Sequence, residues 1–191
     1  MMKTVKKISL VVLMLVSTLN YAGTMKARSL AKVTMVEFIN AKKGQQLLVK
    51  DSNGFILHSE TIKNNGNLSK IFDLKQLKEG IYTVELEKDF EIIIKPFEIK
   101  NNGIVFFKEM EKKLFKPSIR LEDDKLLISQ MNLESNAIEI KIYYEDVLVY
   151  SENIDGKQTM NRVFKLSDTK TGDYHTILKI NERRFVKHFK L

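Results

Sequence analysis

The chain has 191 residues and no cysteine, so neither disulfide staples nor a lipid-bearing cysteine contribute, and the fold has to be held by core burial alone. Its formal charge is +8, but Lys3, Lys6 and Lys7 sit in a leader-like segment. Of 32 basic residues, 29 remain beyond it against 24 acidic ones, a mild +5 that gives no ground for a nucleic-acid partner.

In chain order, residues 1–22 read as a secretory signal peptide. Three lysines precede the apolar run Ile8 to Val16, and polar residues lead to the small pair Ala22-Gly23. That run is shorter than the roughly 20 residues that cross a bilayer, so the expectation is cleavage near Ala22 with no stable membrane insertion afterwards.

Beyond residue 32, short runs rich in Ile, Val, Leu, Phe and Tyr replace helical periodicity. In Ile138, Ile140 and Ile142 the apolar residues alternate with Glu139 and Lys141, which predicts a strand with one buried and one wet face. Asn53-Gly54, Asn65-Gly66, Asn102-Gly103 and Asp155-Gly156 predict tight hairpin turns. Pro96 and Pro117 each remove a ladder donor from an apolar run, which predicts an edge or the beginning of a strand. The charged stretch 108–113, KEMEKK, reads as a linker. The predicted organisation is therefore signal peptide 1–22, a β-sandwich over 23–107, linker 108–113, and a second β-sandwich over 114–191.

A shift of 92 lays residues 55–99 on 147–191 without a gap and matches eleven of 45 positions, among them Ser59/Ser151, Glu60/Glu152, Ile62/Ile154, Gly80/Gly172, Tyr82/Tyr174 and Phe97/Phe189. So long a period implies a duplicated small domain, not a solenoid unit. Upstream of residue 55 the match fades, although Asn40/Asn132 keeps the shift. In each copy a glycine ends a turn, and a tyrosine two residues later begins a strand. Its ring is expected in the core and its hydroxyl on the turn backbone, an arrangement that resembles the tyrosine corner of immunoglobulin-like sandwiches. The fold expected is all-β, two tandem small immunoglobulin-like antiparallel β-sandwiches.

Residues 47–99 resemble the C-terminal sorting domain of type IX secretion cargo, through Asp51 and Gly54, then Asp73, Leu74, Leu77, Gly80 and Tyr82. The resemblance implies a small sandwich in a protein exported by a Gram-negative bacterium. The terminal copy departs from the pattern at Lys165 and Thr169.

Catalytic chemistry is not indicated. His58, His175 and His188 have no metal-ligand spacing, and no phosphate loop, nucleophile elbow or cysteine nucleophile occurs. Glu122-Asp123-Asp124 reads as a solvated hairpin tip, too few ligands for calcium by itself. Arg183, Arg184, Lys187 and Lys190 interleave with Phe185 and Phe189 in the last strand. Such a mixture suits an anionic glycan or phosphate, while parity sends the two rings into the core and Arg184 and Lys190 to water. Lys187 falls on the core side, as does Lys95, and is expected to snorkel or mark a bulge. No catalytic, cofactor-binding or metal-binding residue is assigned. The expectation is a non-enzymatic protein without cofactor, periplasmic, secreted or at the cell surface, that binds an envelope or extracellular protein or glycan and no nucleic acid. The alternative is a type IX secretion cargo or accessory protein whose C-terminal copy acts as the sorting domain.

Overall fold

The computed structural model describes residues 34–72, 77–101, 103–166 and 171–191. The expected signal peptide, Asp73 and Leu74, Asn102 and Thr169 lie outside them. The described residues form strands throughout except for one 3-10 turn at Lys108–Met110.

In the first half, β1 (Thr34–Ala41) pairs with β4 (Gly66–Phe72) in a small sheet. A larger sheet runs β3 (Ile56–Thr61), β2 (Gln46–Asp51), β5 (Gly80–Glu87), β6 (Glu91–Lys100) and β7 (Gly103–Phe106), and β8 (Lys112–Phe115) also pairs with β6. In the second half β9 (Ser118–Glu122), β10 (Lys125–Met131) and β13 (Thr159–Lys165) make one sheet in the order β13-β10-β9. The other sheet runs β12 (Val147–Ile154), β11 (Ile138–Tyr144), β14 (Asp173–Ile180), β15 (Arg183–Lys190). All pairings are antiparallel. Each half is thus a sandwich, and the all-β fold expected from alternation is observed.

Face alternation places the cores. Val36 and Phe38, Leu47 and Val49, Tyr82, Val84 and Leu86, and Phe97 and Ile99 bury one cluster. Leu126 and Ile128, Ile138, Ile140 and Ile142, Met160, Tyr174, Leu178 and Ile180 bury the other. Glu139 and Lys141 point away from it, as the alternation requires.

Strand by strand, the 92-residue shift carries β1 to β10, β3 to β12, β4 to β13, β5 to β14 and β6 to β15, within two residues at each strand's start. Tyr82 pairs with Phe97 as Tyr174 pairs with Phe189. The exception is β2, whose Leu47 and Val49 correspond to Ile140 and Ile142: Leu47 lies opposite Leu86, and Ile140 opposite Leu178. One extra residue before β11 therefore explains why the match fades upstream of residue 55. A β-bulge follows at the same place in both hairpins, after Val49 and after Ile142.

The Asn53-Gly54 turn forms as predicted. Asp51 Oδ1 accepts from the backbone N–H of Asn53 and Phe55, both at 2.9 Å, while Gly54 takes φ 83°. Asn65-Gly66 and Asp155-Gly156 behave differently from the prediction, since they join β3 to β4 and β12 to β13, strands of different sheets. Turn chemistry sets a sharp bend but not the sheet that the next strand joins.

The stretch expected as a linker at 108–113 is folded. After the 3-10 turn, Lys112 to Phe115 pair with Ile94 back to Glu91, so the first sheet extends beyond residue 107. Pro96 lies inside β6, not at its edge or start. β8 flanks residues 91–94 and β7 flanks 97–100, so the missing donor falls in the gap between them, where Pro96 O accepts from Phe107 N at 3.0 Å. Pro117 does stand at the beginning of a strand, one residue before β9.

Tyr82 is buried and its hydroxyl donates to Lys78 O at 2.8 Å, closing the tyrosine corner of the first half. Tyr174 is likewise buried, packed face to face with Phe189. Burial raises its phenol pKa, and the neighbouring Tyr144 adds to the shift. The hydroxyl of Tyr144 donates to Thr171 O at 3.2 Å. Gly80 and Gly172 share φ +156°, but a Cβ at Gly172 would overlap Glu145 Oε1 and lie 2.8 Å from Tyr144 Cε2, whereas nothing comes closer than 3.7 Å at Gly80. Gly172→Ala is therefore expected to cost about 2–3 kcal/mol and Gly80→Ala about 1 kcal/mol, a difference that denaturant titration of the two variants measures directly.

The two halves meet on the outer face of the first large sheet. Glu85 lies on that face between Leu48 and Ile94, only 2% exposed, and accepts from Lys50 Nζ at 2.8 Å and from Arg183 of β15 at 2.5 Å. Lys112 pairs with Glu134 at 3.0 Å, and Gln130 Nε2 donates to Phe115 O at 2.9 Å. Burial pushes the Glu85 carboxyl up, but the hydrogen bonds and charges of Arg183 and Lys50 outweigh it and hold the pKa below the ordinary value of 4.5. The depressed native pKa means that this stabilisation is complete above about pH 4.5 and drains away as pH falls through the lower native value. Glu85→Gln is expected to lower stability by about 3 kcal/mol at pH 7 and to flatten the acid limb of a stability-against-pH profile below about 4.5.

Candidate binding surface

Parity along β14 sends Tyr174, Thr176, Leu178 and Ile180 inward and His175, Ile177 and Lys179 outward. Register then builds rows across the solvent face of the second large sheet. Tyr143, His175 and His188 form one row, Lys141, Ile177 and Val186 the next, and Glu139, Lys179 and Arg184 a third. The first row stacks, with Tyr143 and His175 centroids 4.5 Å apart and 9° from parallel, and His175 and His188 at 5.3 Å.

Charges frame these rings. His175 Nδ1 lies 3.7 Å from Asp146, and Lys190 lies 3.9 Å from Asp173. Lys141 sits 2.6 Å from Glu139, whose hydrogen bond raises the ammonium pKa above its usual value. Arg184, Lys179 and Lys190 are exposed. Ring hydroxyl and N–H groups beside cations offer donors to an acceptor-rich, anionic ligand. Among the described residues no group of three His, Cys, Asp or Glu could hold a metal ion.

The basic residues of the last strand divide among different tasks. Arg183 turns to Glu85 and belongs to the contact between halves. Phe185 and Phe189 pack against the second core, as parity predicts, and Arg184 and Lys190 face water. Lys187 is exposed at the sheet edge. Its counterpart Lys95 reaches out of the first sandwich to Glu111 at 3.0 Å, with Nζ 5.4 Å from the Phe38 ring centroid. His58 faces Glu60 at 3.7 Å on β3, far in sequence from the other two histidines. Glu122 to Asp124 form the β9–β10 turn, with Glu122 on Arg120 at 3.1 Å and Asp124 on Lys165 at 3.6 Å.

Two features went unrecognised in the sequence. One is the His175–His188 contact, because thirteen residues separate the pair and only strand register joins them. The other is a matched ion pair between sheets: Glu60 with Lys70 in the first half, Glu152 with Arg162 at 2.8 Å in the second. Hydrogen bonds from Lys70 and from Arg162 lower the pKa of the two carboxyls. The identity of Glu60 and Glu152 under the shift was a signal for it, hidden by the exchange of lysine for arginine. Tyr143→Ala, which removes the stack on His175, is expected to cost about 1 kcal/mol in chemical unfolding.

No curated protein matches the chain. Among solved structures it is similar to a biofilm associated protein, BSP domain, at 12% identity and TM-score 0.28, covering 84% of this chain and 27% of that one. It is also similar to the extracellular domains 3–5 of Drosophila OTK, at 9% identity and TM-score 0.26, over 84% of this chain and 91% of that one. The chain thus spans about a quarter of the biofilm associated chain, and at such scores neither likeness bears on function. The informative match is to a family. Residues 31–100, which take in β1 to β6 and the resemblance at 47–99, match the secretion system C-terminal sorting domain.

Proposed function

We propose that this is a non-enzymatic exported binding protein, whose partner is an acidic glycan or an anionic protein surface of the cell envelope or the extracellular space. The sorting-domain match over residues 31–100 carries the reading, because a type IX sorting context implies a secreted or cell-surface protein. The face of Tyr143, His175 and His188, with Arg184, Lys179 and Lys190 around it, supports an anionic partner. Wild-type protein is expected to be retained by envelope polysaccharide of the producing cells and by an immobilised sulfated polysaccharide. The Arg184→Ala/Lys190→Ala variant should elute from both at lower salt. Equal retention of wild type and variant would refute this face as the binding surface.

A second reading makes the chain a type IX secretion cargo or accessory protein whose C-terminal copy acts as the sorting domain, although the family match itself falls on the first copy. Fluorescent fusions carrying residues 112–191 or residues 23–107, followed in a host with that secretion system, separate the possibilities. Export of the first fusion supports the C-terminal copy, and export of the second alone assigns sorting to the family-matched half.

A further inference from the structure

Among the described residues the second large sheet ends in two edges with no further strand on them, of opposite character. β12 carries Val147, Leu148, Val149 and Tyr150, all at least 38% exposed, then Glu152, and follows Glu145 and Asp146. β15, at the other edge, carries Arg184, Lys187 and Lys190 exposed around Phe185, Val186 and Phe189. An edge strand with apolar side chains and unpaired backbone groups is a template for another strand.

The first half shows what the β15 edge accommodates. β6 is the counterpart of β15 under the 92-residue shift, and its outer edge is filled by β7 and β8. Between β12 and β13, moreover, a cleft of about 450 Å³ opens, lined by Ile142, Tyr144, Val149, Tyr150, Phe164 and Leu166 among others.

We propose that a second copy of this chain docks on these edges, β12 of one molecule against β15 of the next. Strand polarity permits it without turning the sheet over. Four antiparallel strands make β12 and β15 run oppositely, so sheets placed side by side in one orientation meet with antiparallel edges. The bulge at Val149 leaves Tyr150 to Ile154 as the regular stretch for pairing. One register sets Tyr150 opposite Phe189, Glu152 opposite Lys187 and Ile154 opposite Phe185, each pair on the core-side face, with Asn153 opposite Val186 on the other face. Aromatic meets aromatic, and Lys187 meets the Glu152 carboxylate that Arg162 already engages from the other sheet. Such a head-to-tail contact is heterologous and does not close on itself, so assembly is open-ended and rises with concentration.

The chain has no cysteine, which makes cross-linking clean. Full-length Asn153→Cys/Val186→Cys protein oxidised with oxidised glutathione is expected to give a ladder of covalent multimers, reversed by reductant, while each single variant gives none beyond a trace of dimer. Sedimentation of the wild type over two decades of concentration should show mass rising by multiples of one chain, and Lys187→Glu, on an exposed side chain, should weaken that association about tenfold. Abundant dimer from Asn153→Cys alone would replace the head-to-tail contact with a symmetric β12–β12 one. Absence of the ladder, or a Lys187→Glu profile equal to wild type, would overturn the proposal. Neither readout involves glycan binding or export, so failure here leaves the proposed function standing, and the reverse.

Discussion

In a chain without cysteine, the constraint that everything else rests on is face alternation along antiparallel strands. Each inward side chain has to find a partner across a gap between sheets, because no covalent staple substitutes for that burial. Tyr82 and Phe97, then Tyr174 and Phe189, are cross-strand neighbours on the inward faces of the two large sheets, and they occupy matched registers in both halves. The two glycines that precede the tyrosines hold the same φ, so the glycine backbone of the corner is shared even though the surroundings at Gly172 are tighter.

Alternation also determines what is left over on the outer faces. In the first half the outer face of the large sheet bears Leu48, Ile92 and Glu85, all buried yet outside the core cluster. A carboxylate there is tolerable only because Lys50 and Arg183 reach it. Arg183 belongs to the last strand, so the end of the chain is tied to the middle of the first sandwich. The contact uses a side chain that composition alone would have grouped with the surface cations.

On the second sheet the outer face is covered only at its centre, where Ile177 is buried, while Arg184, Val186 and His188 stay exposed. Tyr143, His175 and His188 line up there because β11, β14 and β15 are neighbours in register, and the cations around them come from the same parity. The exposed aromatic and basic rows therefore sit on the half that the sorting-domain match does not reach. Two copies of one framework can diverge in this manner, since the inward residues are held by packing and the outward ones are free to change.

Alternation, turn residues and the repeated Gly-x-Tyr were enough to determine from sequence that the chain is all-β, that Ile138 to Ile142 form a strand with one buried face, and that Phe185 and Phe189 point inward, because these follow from local periodicity. Sheet membership was not determined locally. Asn65-Gly66 and Asp155-Gly156 look like hairpin turns but lead to the opposite sheet, and the charged 108–113 stretch joins β6 through a pairing that no local pattern announces. Only the tertiary structure brought Arg183 to Glu85 and His188 beside His175, across 98 and 13 residues. Such contacts depend on which strands become neighbours, and that is decided by burial of the whole sandwich and not by any short segment within it.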